Sequence, residues 1–196
     1  MATRLVSAIH DNATLLLTLE ADDDYPRLER SVLDLLEREA LRFARDAQLR
    51  ACVITGTDKA FAAGAEISEL AALDRCAGFE FARRGQRAMN SIAHSKKPFI
   101  AAIKGFCFGG GLDLALACHT RICSEDASFA HPGGALGIIT GWGGTQRLPR
   151  RIGASRAVEM FITGRRLSAT EALACGLVDR IVPASHTVSQ AFAEIH

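Results

Sequence analysis

The chain has 196 residues, of which 48% are hydrophobic and 23% are charged, so it can bury the core of one globular domain and is not disordered by composition. Its formal net charge of +1 argues against a surface that binds nucleic acid or an anionic membrane. The sequence contains no signal peptide and no apolar run long enough to span a bilayer. We therefore expect a cytoplasmic protein, or an organellar one if a targeting segment has been removed.

Several common functional motifs are absent from the sequence. The six cysteines form no CxxC pair and lie mostly in apolar runs, which is typical of buried thiols in a reducing compartment. The six histidines include no HExxH motif and no close pair, so we predict no metal site. The glycine-rich segments match neither GxGxxG nor the P-loop, and there is no GxSxG elbow.

The apolar pattern predicts strands that alternate with helices, which indicates an α/β architecture without a linker or repeat that divides the chain. In chain order the predicted elements are a strand at 14–19, a helix at 27–47, a strand at 51–55, a loop that passes into helix at 59–70, a helix at 79–94, a strand at 99–103, a helix from Leu112, strands at 120–123 and 128–130, a loop at 131–144, a helix from Thr145, a short helix capped by Ser168 and Glu171, a strand at 178–182 and a helix at 184–196.

Residues 97–118 form the centre of this pattern, because they join a buried strand to a Leu- and Ala-rich helix through three consecutive glycines at 109–111. Glycines at a helix start let a ligand approach the backbone and leave amide N–H groups unpaired. The helix dipole adds partial positive charge there, so the site suits an anion or an oxygen that becomes anionic during a reaction. Tight strand-to-helix packing explains the same glycines equally well.

Four segments occur in a specific order along the chain: AFAAGAEISEL, KKPFIAAIKGFCFGGGLDLALAC, ASFAHPGGALGIITGWGGTQRLPRRIG and TGRRLSATEALACGLVDRIVP. Together, over residues 53–183, they resemble the enoyl-CoA hydratase/isomerase (crotonase) family. The resemblance implies a spiral of ββα turns (the ClpP/crotonase fold) over residues 1–183, followed at 184–196 by a shortened C-terminal helical region. It also implies acyl-CoA thioester substrates, no metal or redox cofactor beyond the CoA of the substrate, and a homotrimer or hexamer.

The resemblance also implies an oxyanion hole, in which two backbone N–H groups hold the oxygen of a thioester enolate. By motif, the donors are Ala65 and Gly110, the second of which lies at the anion site inferred above from the glycines. The residues that the resemblance places along the path of the thioester are Ala63, Glu66, Ile67, Ser68 and Gly109. Glu66 is equally consistent with an acid in the first turn of a helix, where it complements the dipole.

The two acids that hold water in family hydratases are both altered here. Asp113 occupies the first position, where its carboxylate is retracted by about 1.5 Å, one C–C bond, relative to glutamate. It is the candidate catalytic residue for moving a proton or water, although an acid at this point could also merely stabilise the helix start. Gly133 occupies the second position, and removing a general acid or base typically lowers a rate by about 10²–10⁴.

Three explanations for Gly133 remain open. Asp113 acts alone and a water or anion fills the space; His131 supplies the base, since its usual pKa suits the task; or the protein binds acyl-CoA without catalysis. A loop histidine that caps a strand end explains His131 as well. Trp142 is expected to form a wall of the acyl pocket or to be a core aromatic residue.

These considerations predict an enoyl-CoA hydratase, which adds water in the syn sense to a 2-enoyl-CoA thioester. The alternatives are an enoyl-CoA isomerase, other enolate chemistry on a CoA thioester, or an acyl-CoA-binding protein without activity. Residues 21–36 depart from the family pattern, which leaves the position of the adenine end of CoA open.

Overall fold

The computed structural model describes residues 2–195 and contains ten strands and eight α-helices within them. The strands are β1 (Arg4–His10), β2 (Thr14–Glu20), β3 (Ala51–Thr55), β4 (Ala60–Ala62), β5 (Phe99–Ile103), β6 (Phe106–Phe108), β7 (Thr120–Ser124), β8 (Ser128–Ala130), β9 (Leu167–Ser168) and β10 (Arg180–Val182). The helices are α1 (Arg30–Arg45), α2 (Ile67–Ala71), α3 (Arg75–Ala93), α4 (Gly110–Ala117), α5 (Gly144–Ile152), α6 (Ala154–Thr163), α7 (Ala169–Ala174) and α8 (Thr187–Ala193).

The strands form two sheets that are built by a repeated turn of the chain. The larger sheet has the order β1-β2-β3-β5-β7-β10, and the smaller has the order β4-β6-β8-β9. Each of β3, β5 and β7 lies in the larger sheet and is followed by a strand of the smaller sheet and then by helix. Strands β2, β3, β5, β7 and β10 run parallel, whereas β1 pairs antiparallel with β2. This repetition confirms the predicted spiral of ββα turns.

The central strands are buried on both faces, as their continuous apolar runs predicted. In β3, Cys52 and Ile54 face the main core, while Val53 contacts a second cluster that includes Ala191 of α8. Helix α1 covers the main core with an apolar stripe and packs against α3. None of the helices within residues 2–195 combines the length and the apolar character that crossing a membrane requires.

The structure corrects several element boundaries. Strands β1, β4, β6 and β9 were not predicted, because β1 is largely exposed, β4 and β6 lie in segments interpreted as a loop and as a glycine-rich connection, and β9 has only two residues. Helix α3 begins at Arg75, four residues early, because the Asp74 carboxylate accepts a hydrogen bond from the amide of Ala77. Helix α4 begins at Gly110 and not at Leu112. The predicted loop 131–144 contains a 3₁₀ turn, Pro132–Leu136. The predicted last helix is a 3₁₀ turn (Ala184–His186) followed by α8, and its final residue, His196, lies outside the described residues.

The capping box predicted before α7 is present and gives a stability test. The amide of Glu171 donates to Ser168 Oγ at 3.2 Å, and the amide of Ser168 donates to the Glu171 carboxylate at 2.8 Å. We expect Ser168→Ala to lower the free energy of unfolding by about 1 kcal/mol, because an N-terminal amide of α7 loses its acceptor. Urea denaturation measures this, with Ser189→Ala at an exposed position of α8 as the control. Equal stability of the two variants would contradict the prediction.

Candidate active site

A mostly apolar cavity of about 500 Å³ lies beside the start of α4. Its walls come from Tyr25 and Arg27, from residues between 63 and 82, from Gly109 and Gly110, from residues between 131 and 142, and from Phe161. A largely apolar cleft that contains a few convergent polar groups is the usual form of a small-molecule site. The segments predicted to carry chemistry therefore meet in one place.

The Ala65 side of the cavity is held by a backbone pairing with the segment before α1. The amide of Ala63 donates to the carbonyl of Pro26 at 2.8 Å, and the amide of Leu28 donates to the carbonyl of Gly64 at 2.7 Å. Gly64 has a φ of +108°, which a side chain would strain, and there the chain turns toward the cavity. The amide of Ala65 has no acceptor within residues 2–195, and Ala65 lines the cavity.

The Gly110 side is the first turn of α4. The amide of Gly109 donates to the carbonyl of Ala130 at 2.9 Å, and Gly109 has a φ of +52°. The next amide, that of Gly110, has no acceptor among the described residues, as expected for the first residue of a helix. The two sides are in close contact, since a Cβ built on Gly64 would lie 3.5 Å from the nitrogen of Gly110. Two unpaired N–H groups thus come from adjacent backbone segments at one end of the cavity.

The other residues predicted along the thioester path divide into two groups. Ala63, Ile67 and Gly109 line the cavity, whereas Glu66 and Ser68 do not. Glu66 is the N-cap of α2, and its carboxylate accepts from the amide and hydroxyl of Ser68 at 3.0 and 2.9 Å. These hydrogen bonds, together with the charge of Arg27, lower the pKa of Glu66. Helix α2 begins at Ile67 with Glu66 as its N-cap, so Ala65 lies just before the helix.

Asp113 lies on α4 but is fully buried and does not line the cavity. Its Oδ2 accepts a hydrogen bond from the Thr140 hydroxyl, and its Oδ1 lies 3.5 Å from Nε2 of His131. Burial raises the pKa of Asp113 to about 6, and the hydrogen bond from Thr140 offsets part of that rise. Direct contact between this carboxylate and a ligand would require movement, so its catalytic role stays a prediction.

His131 and Gly133 both line the cavity. Burial lowers the pKa of His131 to about 4, which keeps its ring neutral at physiological pH. Gly133 lies in the 3₁₀ turn, where a Cβ would be 2.8 Å from the carbonyl oxygen of Ile138. An acidic side chain at position 133 would therefore require the turn to shift.

Trp142 serves both roles that the sequence left open. Its side chain is buried and packs at 5.3 Å from the ring of Phe81, yet it also lines the cavity. The indole lies between α3 and α4, where a Cβ on Gly85 or on Gly110 would overlap it. The absence of a side chain at these two positions leaves the space that the indole of Trp142 occupies.

Sequence reasoning missed two polar residues of this region, Arg27 and Thr140. Arg27 lines the cavity and is held by Asp23 at 2.8 Å and by Glu66 at 3.4 Å. The acidic run before Tyr25 was the available signal, because a lone arginine among carboxylates suggests an ion pair. Nothing local marks Thr140, which contacts Asp113 only through the tertiary fold.

Comparison with known proteins decides the family. The sequence profile of the enoyl-CoA hydratase/isomerase family matches residues 28–196. The chain belongs to the enoyl-CoA hydratase/isomerase family. A probable enoyl-CoA hydratase of Rhizobium meliloti is 38% identical over 176 residues, which cover 90% of this chain and 68% of that protein. The mitochondrial enoyl-CoA hydratase of Pongo abelii is 42% identical over 162 residues, and the match spans only 54% of its length.

The architecture agrees with this membership of the enoyl-CoA hydratase/isomerase family. A crystal structure of enoyl-CoA hydratase from Bacillus anthracis superposes with a TM-score of 0.92 at 34% identity, and the match covers 97% of this chain and 74% of that one. The family match begins at residue 28, so it includes Ala65, Gly110, Asp113 and His131 but not Arg27.

The pKa values of Asp113 and His131 predict opposite pH slopes of stability. The pKa of Asp113 is raised from 3.8 to about 6, so the stability associated with its protonated form is lost as the pH rises through this window. The pKa of His131 is lowered from 6.5 to about 4, so the stability associated with its neutral ring is lost as the pH falls through that window. Each effect amounts to about 3 kcal/mol, because one pKa unit corresponds to about 1.4 kcal/mol.

We therefore expect the stability profiles of the two single variants to diverge between pH 4 and 6, because the two opposite contributions no longer offset each other. Asp113→Asn should gain stability as the pH rises, because only the slope of His131 remains. His131→Gln should lose stability over the same range, because only the slope of Asp113 remains. Urea denaturation at several pH values measures both, and parallel slopes for the two variants would refute the assignment.

Proposed function

We propose that this chain is an enoyl-CoA hydratase, which adds water in the syn sense across C2=C3 of a 2-enoyl-CoA thioester. The thioester oxygen is held by the N–H groups of Ala65 and Gly110. The observation that carries the proposal is that these two amides lack acceptors within the described chain and belong to neighbouring backbone segments that line one apolar cavity. Such donors stabilise charge that develops on oxygen as the double bond is attacked.

The cavity walls suit an acyl chain. Apolar side chains of the 131–142 segment, including Trp142, line the cavity together with Phe161. Burying methylene groups there is favourable by about 0.8 kcal/mol per group. The proposal needs no cofactor other than the CoA of the substrate, and it includes a homotrimer or hexamer and a cytoplasmic location.

A second candidate, an acyl-CoA-binding protein without turnover, is favoured by two observations. Gly133 brings no acid to the cavity wall, and the Asp113 carboxylate lies behind the wall. Isomerisation of an enoyl thioester is a further alternative, because it uses the same enolate and the same amides.

Two measurements on the purified chain separate these functions. Crotonyl-CoA hydration is followed by loss of the enoyl absorbance, and acetoacetyl-CoA binding is measured by calorimetry. We expect both turnover and binding. Binding without turnover of crotonyl-CoA or of a 3-enoyl-CoA would favour the binding protein, and absence of both would refute the proposed function.

A further inference from the structure

Two buried polar atoms beside the cavity face each other without a hydrogen-bond partner. They are Oδ1 of Asp113 and Nε2 of His131, which lie 3.5 Å apart. Buried polar atoms are nearly always hydrogen-bonded, so a pair of neighbours that both lack a partner needs an explanation. The separation is slightly longer than a hydrogen bond, which is common for catalytic pairs before the substrate binds.

Of these two side chains, His131 is the one that reaches the cavity. His131 lines the cavity, whereas Asp113 does not. Because Nε2 faces the carboxylate, Nδ1 is the ring nitrogen left for a ligand. The ring of Phe161 on α6 packs at 5.1 Å from the imidazole and limits its rotation.

The other titratable or charged groups that act on this pair come from α5 and β6. The positive charge of Arg147 in α5 acts on Asp113, and its guanidinium is held by the carbonyl of Trp142 at 3.0 Å and by Asn90 at 2.8 Å. The buried thiol of Cys107 in β6 also lies within range of Asp113, and burial raises the pKa of that thiol. Neither the cationic Arg147 nor the neutral thiol of Cys107 can balance the positive charge of a protonated imidazole. The Asp113 carboxylate is therefore the group that stabilises the protonated form of His131.

We propose that His131 is the general base and acid of this active site and that Asp113 is its positioning residue. The inference rests on the proposed hydratase function. Nδ1 of His131 removes a proton from water as the water oxygen bonds to C3 and the C2=C3 π electrons move toward the thioester. The imidazolium then returns that proton to C2 as the enolate collapses, so the water atoms end on C3 and C2 and no other reactant is needed.

The charge of Asp113 is what this cycle needs from the pair. Burial lowers the pKa of His131 to about 4, which leaves the ring neutral and able to accept a proton at pH 7 but makes it a weaker base than an ordinary histidine, so the proton transfer depends on the neighbouring carboxylate. Asp113 is ionised above pH 6 and lies next to the charge that the imidazole gains. In this arrangement Asp113, which the family resemblance places at the first acid position, acts through a neighbour and not on the substrate.

The first test compares His131→Gln with His94→Gln, a matched change at an exposed histidine on the C-cap of α3. Crotonyl-CoA hydration should fall by about 10²–10⁴ in His131→Gln, the usual loss for a general base, and should be unchanged in His94→Gln. Acetoacetyl-CoA affinity should remain close to wild type in both. A kcat for His131→Gln equal to that of wild type would overturn the inference.

The second test uses Asp113→Asn, which keeps the shape of the side chain and is therefore expected to fold. Loss of the carboxylate lowers the pKa of the imidazole, so the acid limb of the kcat/KM profile should move to lower pH, and kcat should fall. A purely structural role for Asp113 would leave this limb in place, and that result would overturn the inference even if His131→Gln were unstable.

The outcomes also separate this inference from the proposed function. Wild-type turnover together with full turnover by His131→Gln rejects the role of His131 and leaves the hydratase intact. Lack of turnover by the wild type rejects both.

Discussion

Replacing Ala65 by proline should lower kcat/KM for crotonyl-CoA by about 10²–10³, the usual effect of losing one oxyanion donor. Proline has no N–H, so the change removes one of the two proposed donors while the amide of Gly110 remains. Ala65→Gly keeps the donor and serves as the matched control. Hydration assays with crotonyl-CoA measure kcat/KM of each variant. Urea denaturation of the same variants shows whether a lower kcat/KM comes from lost chemistry or from a destabilised fold.

The Ala65→Pro variant should also bind acetoacetyl-CoA more weakly, because the enolate form of that ligand depends on the same two amides. The pairing of Ala63 with Pro26 and of Gly64 with Leu28 does not involve the Ala65 nitrogen, so these hydrogen bonds are expected to persist. A folded Ala65→Pro protein with wild-type kcat/KM would show that this amide does not contact the substrate.

Gly85→Ala should destabilise the fold by about 1–3 kcal/mol, the usual penalty of overpacking a filled core. Its new methyl group would overlap the indole of Trp142, whose other edge lies against Gly110. A displaced indole would also enter the cavity, so acetoacetyl-CoA affinity should fall. Chemical denaturation and calorimetry measure the two effects.

The same helix offers a matched control for this substitution. Gly78 lies two turns earlier in α3, and a Cβ there would meet nothing within 4 Å. Gly78→Ala should therefore stabilise the protein by about 0.4–1 kcal/mol through the unfolded chain. Equal stability of the two alanine variants would contradict the close packing of Trp142 between α3 and α4.

Much of the fold was predictable because its central strands carry their own signal. Strands β3, β5 and β8 were predicted with their observed bounds, since continuous apolar or strand-forming residues are bounded by turns. Strands β4 and β6 lie in segments that were interpreted as a loop before a helix and as a glycine-rich connection, and their pairing in the smaller sheet follows only from the tertiary fold. Strand β1 is exposed along most of its length, and its pairing with β2 supplies most of its contacts.

The site was predictable only where the chemistry resides in the backbone. The glycines at 109–111 indicated the anion site at Gly110, whereas the family resemblance alone indicated Ala65; both residues line the cavity. The direction in which Asp113 points does not follow from its position on α4, because it depends on how Trp142 packs against Gly110 and on the contact with Thr140. The proximity of Asp113 to His131 likewise depends on the tertiary fold, because the two residues are 18 positions apart in the sequence.

A crystal structure of the chain with acetoacetyl-CoA tests the central claim most directly. We predict that the thioester oxygen lies within about 2.7–3.1 Å of the nitrogens of both Ala65 and Gly110, the range for an oxyanion contact. A ligand whose thioester oxygen contacts neither nitrogen, or only one of them, would contradict the account.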